Sequence, residues 1–190
     1  MDFNSHNELK GFHAFLSASK YSWLNYDDDK LELAYRRSLA AQRGTELHSL
    51  ASDLIRLGVK LPRNGSTLSL FVNDVIGFRM RSEQILFYSE FAFGTADAIQ
   101  YRFSKKLDSM VLQIFDLKTG EGPTSVHQLE IYAALFCLEY NVEPLEIITE
   151  LRIYQNNDVE IYDADPDEIS KIMKLIVEFD KKIRAIRAAQ

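Results

Sequence analysis

Two short stretches put carboxylates where a divalent cation could use them. In Phe115-Asp116-Leu117-Lys118-Thr119-Gly120, Asp116 and Lys118 flank a leucine. On a strand they project from one face, roughly 6–7 Å apart along the chain, while Leu117 points into the core with its carbonyl free to bend toward the site. Leu112 and Ile114 share the parity of Asp116, so an apolar face ends in a carboxylate and an ammonium. In Gly94-Thr95-Ala96-Asp97-Ala98-Ile99, Asp97 belongs to the preceding strand, and Gly94 permits an unusual backbone angle or a close approach. A hairpin closed near residue 106 would bring Asp97 beside Asp116. Carboxylates within about 4–6 Å repel and raise each other's pKa unless a cation lies between them. Oxygen ligands suit Mg2+ or Mn2+. Taken singly, D-x-K also fits a surface ion pair, and Asp97 also fits a solvated strand end.

Two helical segments add candidates. His48 closes Arg43-Gly44-Thr45-Glu46-Leu47-His48. A lone helical histidine is usually packed or solvated, but beside two carboxylates it becomes a third metal ligand and tilts preference toward Mn2+. In Gln128-Leu129-Glu130-Ile131-Tyr132, Gln128 and Tyr132 are four residues apart and line one helical face. A short loop, Gly120 to Ser125, links that helix to the D-x-K strand, so its polar face can look onto the metal centre or onto DNA.

The elements that must position these residues follow from periodicity. Residues 13–25 (His13 to Asn25) read as a short helix. Asp28 to Leu57 reads as a long one, with Leu47, Leu50, Leu54 and Leu57 on one apolar face, stopped by Gly58. Leu61 to Gly65 is a loop. Leu68 to Val72, Ile85 to Phe93, Thr95 to Phe103 and Met110 to Leu117 are rich in branched and aromatic residues, as strands are. Ser104 to Ser109 closes a hairpin, and Gln128 to Tyr140 returns to helical spacing. Ile147 to Tyr154 and Val159 to Tyr162 are strands around the turn Gln155-Asn156-Asn157-Asp158. Asp165-Pro166-Asp167-Glu168 opens a final helix with an N-cap, a proline and acidic first-turn residues. Ile169, Ile172, Met173, Ile176 and Ile183 form its stripe. Lys181, Lys182, Arg184 and Arg187 make a basic end that is either solvated or turned to DNA. The expected fold is α/β, a central mixed β-sheet flanked by helices, in one domain over residues 1–190.

Composition narrows the function. The 190 residues are 46% hydrophobic and 26% charged, enough for one core. Cys137 is the only cysteine and lies in an apolar run, which excludes a disulfide framework, a thiolate zinc site or a cysteine-held iron–sulfur cluster within one chain. No apolar stretch reaches 18 residues, and Met1-Asp2-Phe3-Asn4-Ser5 lacks a secretory pattern, so a cytoplasmic protein is expected. The net charge of −6 argues against a surface basic all over, though a local groove with metal ions can still accept phosphates.

In this order, the helical histidine, G-x-x-D, D-x-K and Q-x-x-x-Y resemble the RecB-like branch of the PD-(D/E)XK nucleases. The likeness spans residues 43 to 132, roughly half the chain; His13-Ala14-Phe15-Leu16-Ser17-Ala18-Ser19 adds a less specific match. It is greatest to small stand-alone exonucleases carried by phages. The resemblance implies a restriction-endonuclease-like core, with His48, Asp97, Asp116 and the Leu117 carbonyl holding one or two Mg2+ or Mn2+ ions. Lys118 would orient and polarise the attacking water, Gln128 and Tyr132 would contact DNA or the lysine, and Glu83 and Glu90 would be auxiliary acids. The four cluster-binding cysteines of the CRISPR-adaptation nucleases are lacking, and no G-x-x-x-x-G-K-[ST] loop offers ATP-driven helicase activity. The expected activity is a divalent-metal-dependent DNA exonuclease of recombination, replication or repair. A structure-specific or sequence-specific endonuclease, a catalytically silent DNA-binding module and an RNA-directed enzyme stay open, as do a homo-oligomer and a partner protein.

Overall fold

A computed structural model describes residues 14–120 and 122–189. By its internal contacts the chain divides into two units, Met1–Thr45 and Glu46–Gln190. The first holds a 3₁₀ stretch, Ala18–Asn25, kinked at Lys20, where sequence periodicity suggests a plain helix; His13 lies outside the described residues. Trp23 pins this stretch by donating its indole N–H to the Ser17 carbonyl at 2.9 Å. Phe15 packs edge-on to Tyr35, 5.3 Å between ring centroids. Asp27 starts helix α1 (Asp28–Leu57) by accepting from the Lys30 N–H, satisfying one of the donors a helix start leaves orphaned.

The second unit contains the end of α1 and a five-stranded mixed sheet in the order β1 (Arg81–Ser89), β2 (Ala92–Ser104), β3 (Ser109–Leu117), β4 (Ile147–Gln155), β5 (Asp158–Asp163). All neighbours are antiparallel except β3 and β4. A parallel pair needs a crossover, and α3 (His127–Tyr140) supplies it. The remaining helices are α2 (Thr67–Phe78) and α4 (Pro166–Ala188). The protein is therefore an α/β fold with a central mixed sheet flanked by helices.

β3 runs through the middle, and Val111 to Leu117 are all buried. Its parity divides two cores. Leu112 and Ile114 pack with α3 and α4 through Leu129, Ala133 and Ile169. Phe115 and Leu117 pack with α2 through Phe71, Val72 and Val75, and with Ala51 at the end of α1. Each large side chain so enclosed contributes on the order of 1.5–3 kcal/mol. Burial also pushes the Cys137 thiol up to about 12, which leaves it an inert core residue. Asp165 caps α4 through the Asp167 N–H at 2.9 Å, worth about 1 kcal/mol. Asn156 and Asn157 both take positive φ to turn β4 into β5.

Three sequence expectations need correction. Leu68 to Val72 is not a strand but the first half of α2, which Ser66 caps through the Ser69 N–H. A short apolar run buried on most sides has no readable period, so strand and helix look alike. Ile85 to Phe93 is not one strand, because the chain reverses at Glu90 and Phe91 between β1 and β2. Ser89-Glu90-Phe91-Ala92 holds no glycine, proline or asparagine, and its one turn-forming residue is Ser89, whose hydroxyl accepts from the Phe91 N–H at 3.2 Å, so the turn gives only a weak signal. On α1, Leu50 and Leu57 are exposed; the inward face centres on Ala51, with Leu54 and Ile55 beside it.

Candidate metal centre

β2 is long because it serves two partners in succession. Its first half pairs with β1, from Ala92 opposite Ser89 to Ile99 opposite Arg81. Its second half pairs with β3, from Ala98 opposite Phe115 to Ser104 opposite Ser109. The two ladders overlap at Ala98 and Ile99, and Asp97 sits at the edge of that overlap. On the β1 side Ser82 pairs with Ala98 and Gln84 with Ala96, while Glu83, opposite Asp97, drops out of the ladder with a left-handed φ of 52°. On the β3 side the chain runs on past the last pair into Asp116 and Leu117.

Asp97 is consequently approached from three elements. The Leu117 backbone N–H donates to its Oδ2 at 2.8 Å. His48 of α1 brings Nδ1 to 3.4 Å from its Oδ1, an ion pair too long for a strong hydrogen bond. Glu83 completes a cluster in which one ligand atom each of His48, Glu83 and Asp97 lie within 4.8 Å of one another. Asp116 is 3% exposed. Its Oδ1 accepts from Lys118 Nζ at 3.2 Å, whereas Oδ2, 3.0 Å from the same ammonium, is out of line and has no hydrogen-bond partner. Lys118 Nζ also donates to Gln128 Oε1 at 2.7 Å, and Gln128 Nε2 donates to the Tyr132 hydroxyl at 3.0 Å. An ammonium can only donate, which fixes the Gln128 amide orientation.

The electrostatics match this crowding. Burial, and then the Asp97 charge, hold the Asp116 carboxyl above the usual carboxylate range despite Lys118. Burial and Asp97 likewise raise Glu83. Asp97 raises His48 against the opposing pull of burial. Burial raises the Tyr132 phenol, so it stays protonated. A buried lone pair without a partner and carboxyls held above their normal range mark a site short of positive charge. The clustered donor set of one imidazole and two carboxylates, His48, Glu83 and Asp97, fits a divalent cation of the Mg2+ or Mn2+ class, and Asp116 stands outside that cluster.

Of the residues named from sequence, His48 contacts Asp97, and Asp116, Lys118, Gln128 and Tyr132 form a hydrogen-bonded chain near enough for the Asp97 charge to act on Asp116. Leu117 joins Asp97 through its N–H, and its side chain lies in the core. Glu90 joins neither group: it stands at the β1–β2 turn in an ion pair with Arg187 at 2.8 Å. That contact also places Arg187 of the basic helix end against a carboxylate. Glu83, ranked with Glu90 from sequence, is instead central. The register that reveals it requires the weakly signalled turn at Glu90 and Phe91. Of the two uses read for Gly94 from sequence, the close approach is the one found: a Cβ there would come within 2.8 Å of Tyr132 Cε1. The glycine of G-x-x-D makes room for the tyrosine of Q-x-x-x-Y. Gln155 restrains the loop between β3 and α3 by donating to the carbonyls of Gly120 and Gly122. No helix among the described residues is long and apolar enough to cross a membrane. In comparisons with known proteins, no family model, no curated protein and no solved structure matches this chain.

Proposed function

We propose that the protein is a divalent-metal-dependent deoxyribonuclease of the PD-(D/E)XK superfamily, RecB-like branch, acting as an exonuclease in recombination, replication or repair. The observation that carries the reading is the meeting of two polar groups at the end of β3: His48, Glu83 and Asp97, with Asp97 accepting from the Leu117 N–H, and the hydrogen-bonded chain of Asp116, Lys118, Gln128 and Tyr132 beside it. His48, Glu83, Asp97 and Asp116 are the residues that would hold the ion. A bound ion of this class supplies a Lewis acid for a phosphate and lowers the pKa of water.

The chain's own groups supply the rest. Lys118 has three N–H donors, of which Asp116 and Gln128 take two. The third is available to hold a water or a non-bridging phosphate oxygen. Tyr132 accepts from Gln128, so its own proton is free to donate to substrate. Gly94 leaves room for the Tyr132 ring, and Gln128 is held between Lys118 and Tyr132, so the donors are in place before substrate arrives. A cytoplasmic setting fits this reading.

The test is incubation of purified protein with end-labelled linear DNA, covalently closed circular DNA and RNA, with Mn2+ or with EDTA. We expect linear DNA to be degraded only with metal, and circles and RNA to survive. Cutting of circles would replace exonuclease by endonuclease, digestion of RNA alone would overturn the substrate, and no cleavage at all would overturn the activity.

A further inference from the structure

β1 begins at Arg81 opposite Ile99, so β2 continues past it without a neighbour on that side. A cavity of about 330 Å³ occupies the corner, bounded by Arg79, Arg81, Gln84, Tyr101, Phe136 and Tyr140, among others. Tyr101, Phe136 and Tyr140 form an aromatic row, with centroid separations of 5.0 Å and 4.8 Å. Tyr101 and Tyr140 are exposed. Among the described residues neither guanidinium has a carboxylate partner; Arg81 reaches only Gln84 Oε1, at 3.4 Å. Arg79 takes a left-handed φ of 60° at the end of α2, a position where glycine or asparagine is usual.

On a protein of net charge −6, two uncompensated guanidiniums beside exposed aromatic rings call for a ligand with both an anionic group and a flat π face. The cavity shares no lining residue with the metal centre but lies on the same strands and on α3. Gln84 follows Glu83, and Ile99 is roughly 7 Å beyond Asp97 along β2. Phe136 and Tyr140 continue α3 about one and two turns past Tyr132. We propose that this cavity binds a nucleotide unit, its phosphate on Arg79 and Arg81 and its base against Tyr101 and Tyr140. The nucleotide is either part of a single strand that also crosses the metal centre or a free mononucleotide. Only the first source rests on the nuclease reading.

The experiment is fluorescence anisotropy in EDTA with a labelled single-stranded oligodeoxynucleotide, competed by a deoxynucleoside 5′-monophosphate and by inorganic phosphate. The variants are Arg79→Asn with Arg81→Gln, Tyr140→Ala and Tyr140→Phe. We expect wild-type binding, weakened about tenfold or more by the arginine pair and by Tyr140→Ala, and retained by Tyr140→Phe, which keeps the ring. Competition by the mononucleotide assigns the free ligand as the source, and its failure to compete assigns the strand. Undiminished binding in both loss variants, or no binding of any probe, overturns the proposal. Should the arginine pair fail to fold, the surface change Tyr140→Ala decides alone. Cleavage in Mn2+ is a separate reading, so loss of this subsite and loss of the nuclease centre are distinguishable.

Discussion

Glu83 stands opposite Asp97 across the β1–β2 pair, at the position where the ladder between Ser82–Ala98 and Gln84–Ala96 is interrupted. A carboxylate in left-handed backbone facing another carboxylate is costly in an empty site and useful in a loaded one. We therefore expect Glu83→Gln to weaken Mn2+ binding about tenfold or more by titration calorimetry, and Glu90→Gln, at the distant turn, to leave it unchanged. Equal affinities in wild type and Glu83→Gln would remove Glu83 from the site.

Asp116 gives a stability test with a definite sign. Its carboxyl is raised in the folded state, chiefly by burial. Between the ordinary carboxylate value and the raised one, the native state binds more protons than the unfolded state, so stability falls as pH rises through that window. The metal-free protein should melt higher at mildly acidic pH than at neutral pH. Asp116→Asn should remove part of that difference and match or exceed wild type at neutral pH, while abolishing cleavage. A variant that melts well below wild type at neutral pH would show that the ionised carboxylate stabilises the fold.

His48 is raised as well, and the stabilisation from its charged form is present at low pH and lost as pH rises through its folded value. A metal binds the neutral ring. Mn2+ affinity in the wild type should therefore climb with pH through the His48 titration, and His48→Ala should flatten that climb. A pH-independent affinity in the wild type would take His48 out of the ligand set.

Much of this arrangement is legible in the sequence, for physical reasons. Asp116 and Lys118 are two apart at the end of an apolar strand, and period two fixes their common face. Ser104 to Ser109 is polar enough to mark the hairpin that carries Asp97 toward Asp116, and Gln128 and Tyr132 lie four apart on a helix. Glu83 is not legible, because its place depends on a turn through Glu90 and Phe91 whose one turn residue, Ser89, is a weak signal inside an apolar run. α2 is not legible because Leu68 to Val72 is apolar without period. The space beside Gly94 belongs to a ring far along the chain, on α3, and no local pattern encodes it.

Gly94 and Tyr132 offer a double-mutant cycle. Gly94→Ala should destabilise by about 1–3 kcal/mol, since the new methyl meets the Tyr132 ring at 2.8 Å, and should reduce cleavage by displacing that ring. In a Tyr132→Ala background, itself destabilised by loss of a ring packed on the core, the same Gly94→Ala change should cost little further, and activity should not return. Additive melting shifts would mean that the two residues do not share that space.

Lys118→Met keeps the length of the side chain and removes its charge. Without the ammonium's bonds to Asp116 and Gln128, cleavage should fall about 10²–10⁴-fold while Mn2+ still binds. Retained turnover would pass the water-positioning role to another group.

Anomalous diffraction from crystals soaked in Mn2+ measures the centre itself. The expected peak lies within about 2.0–2.6 Å of carboxylate oxygens of Asp97 and Asp116, with Lys118 at its side. A Mn2+ peak bound only elsewhere on the molecule, with Asp97 and Asp116 bare, would contradict the nuclease assignment.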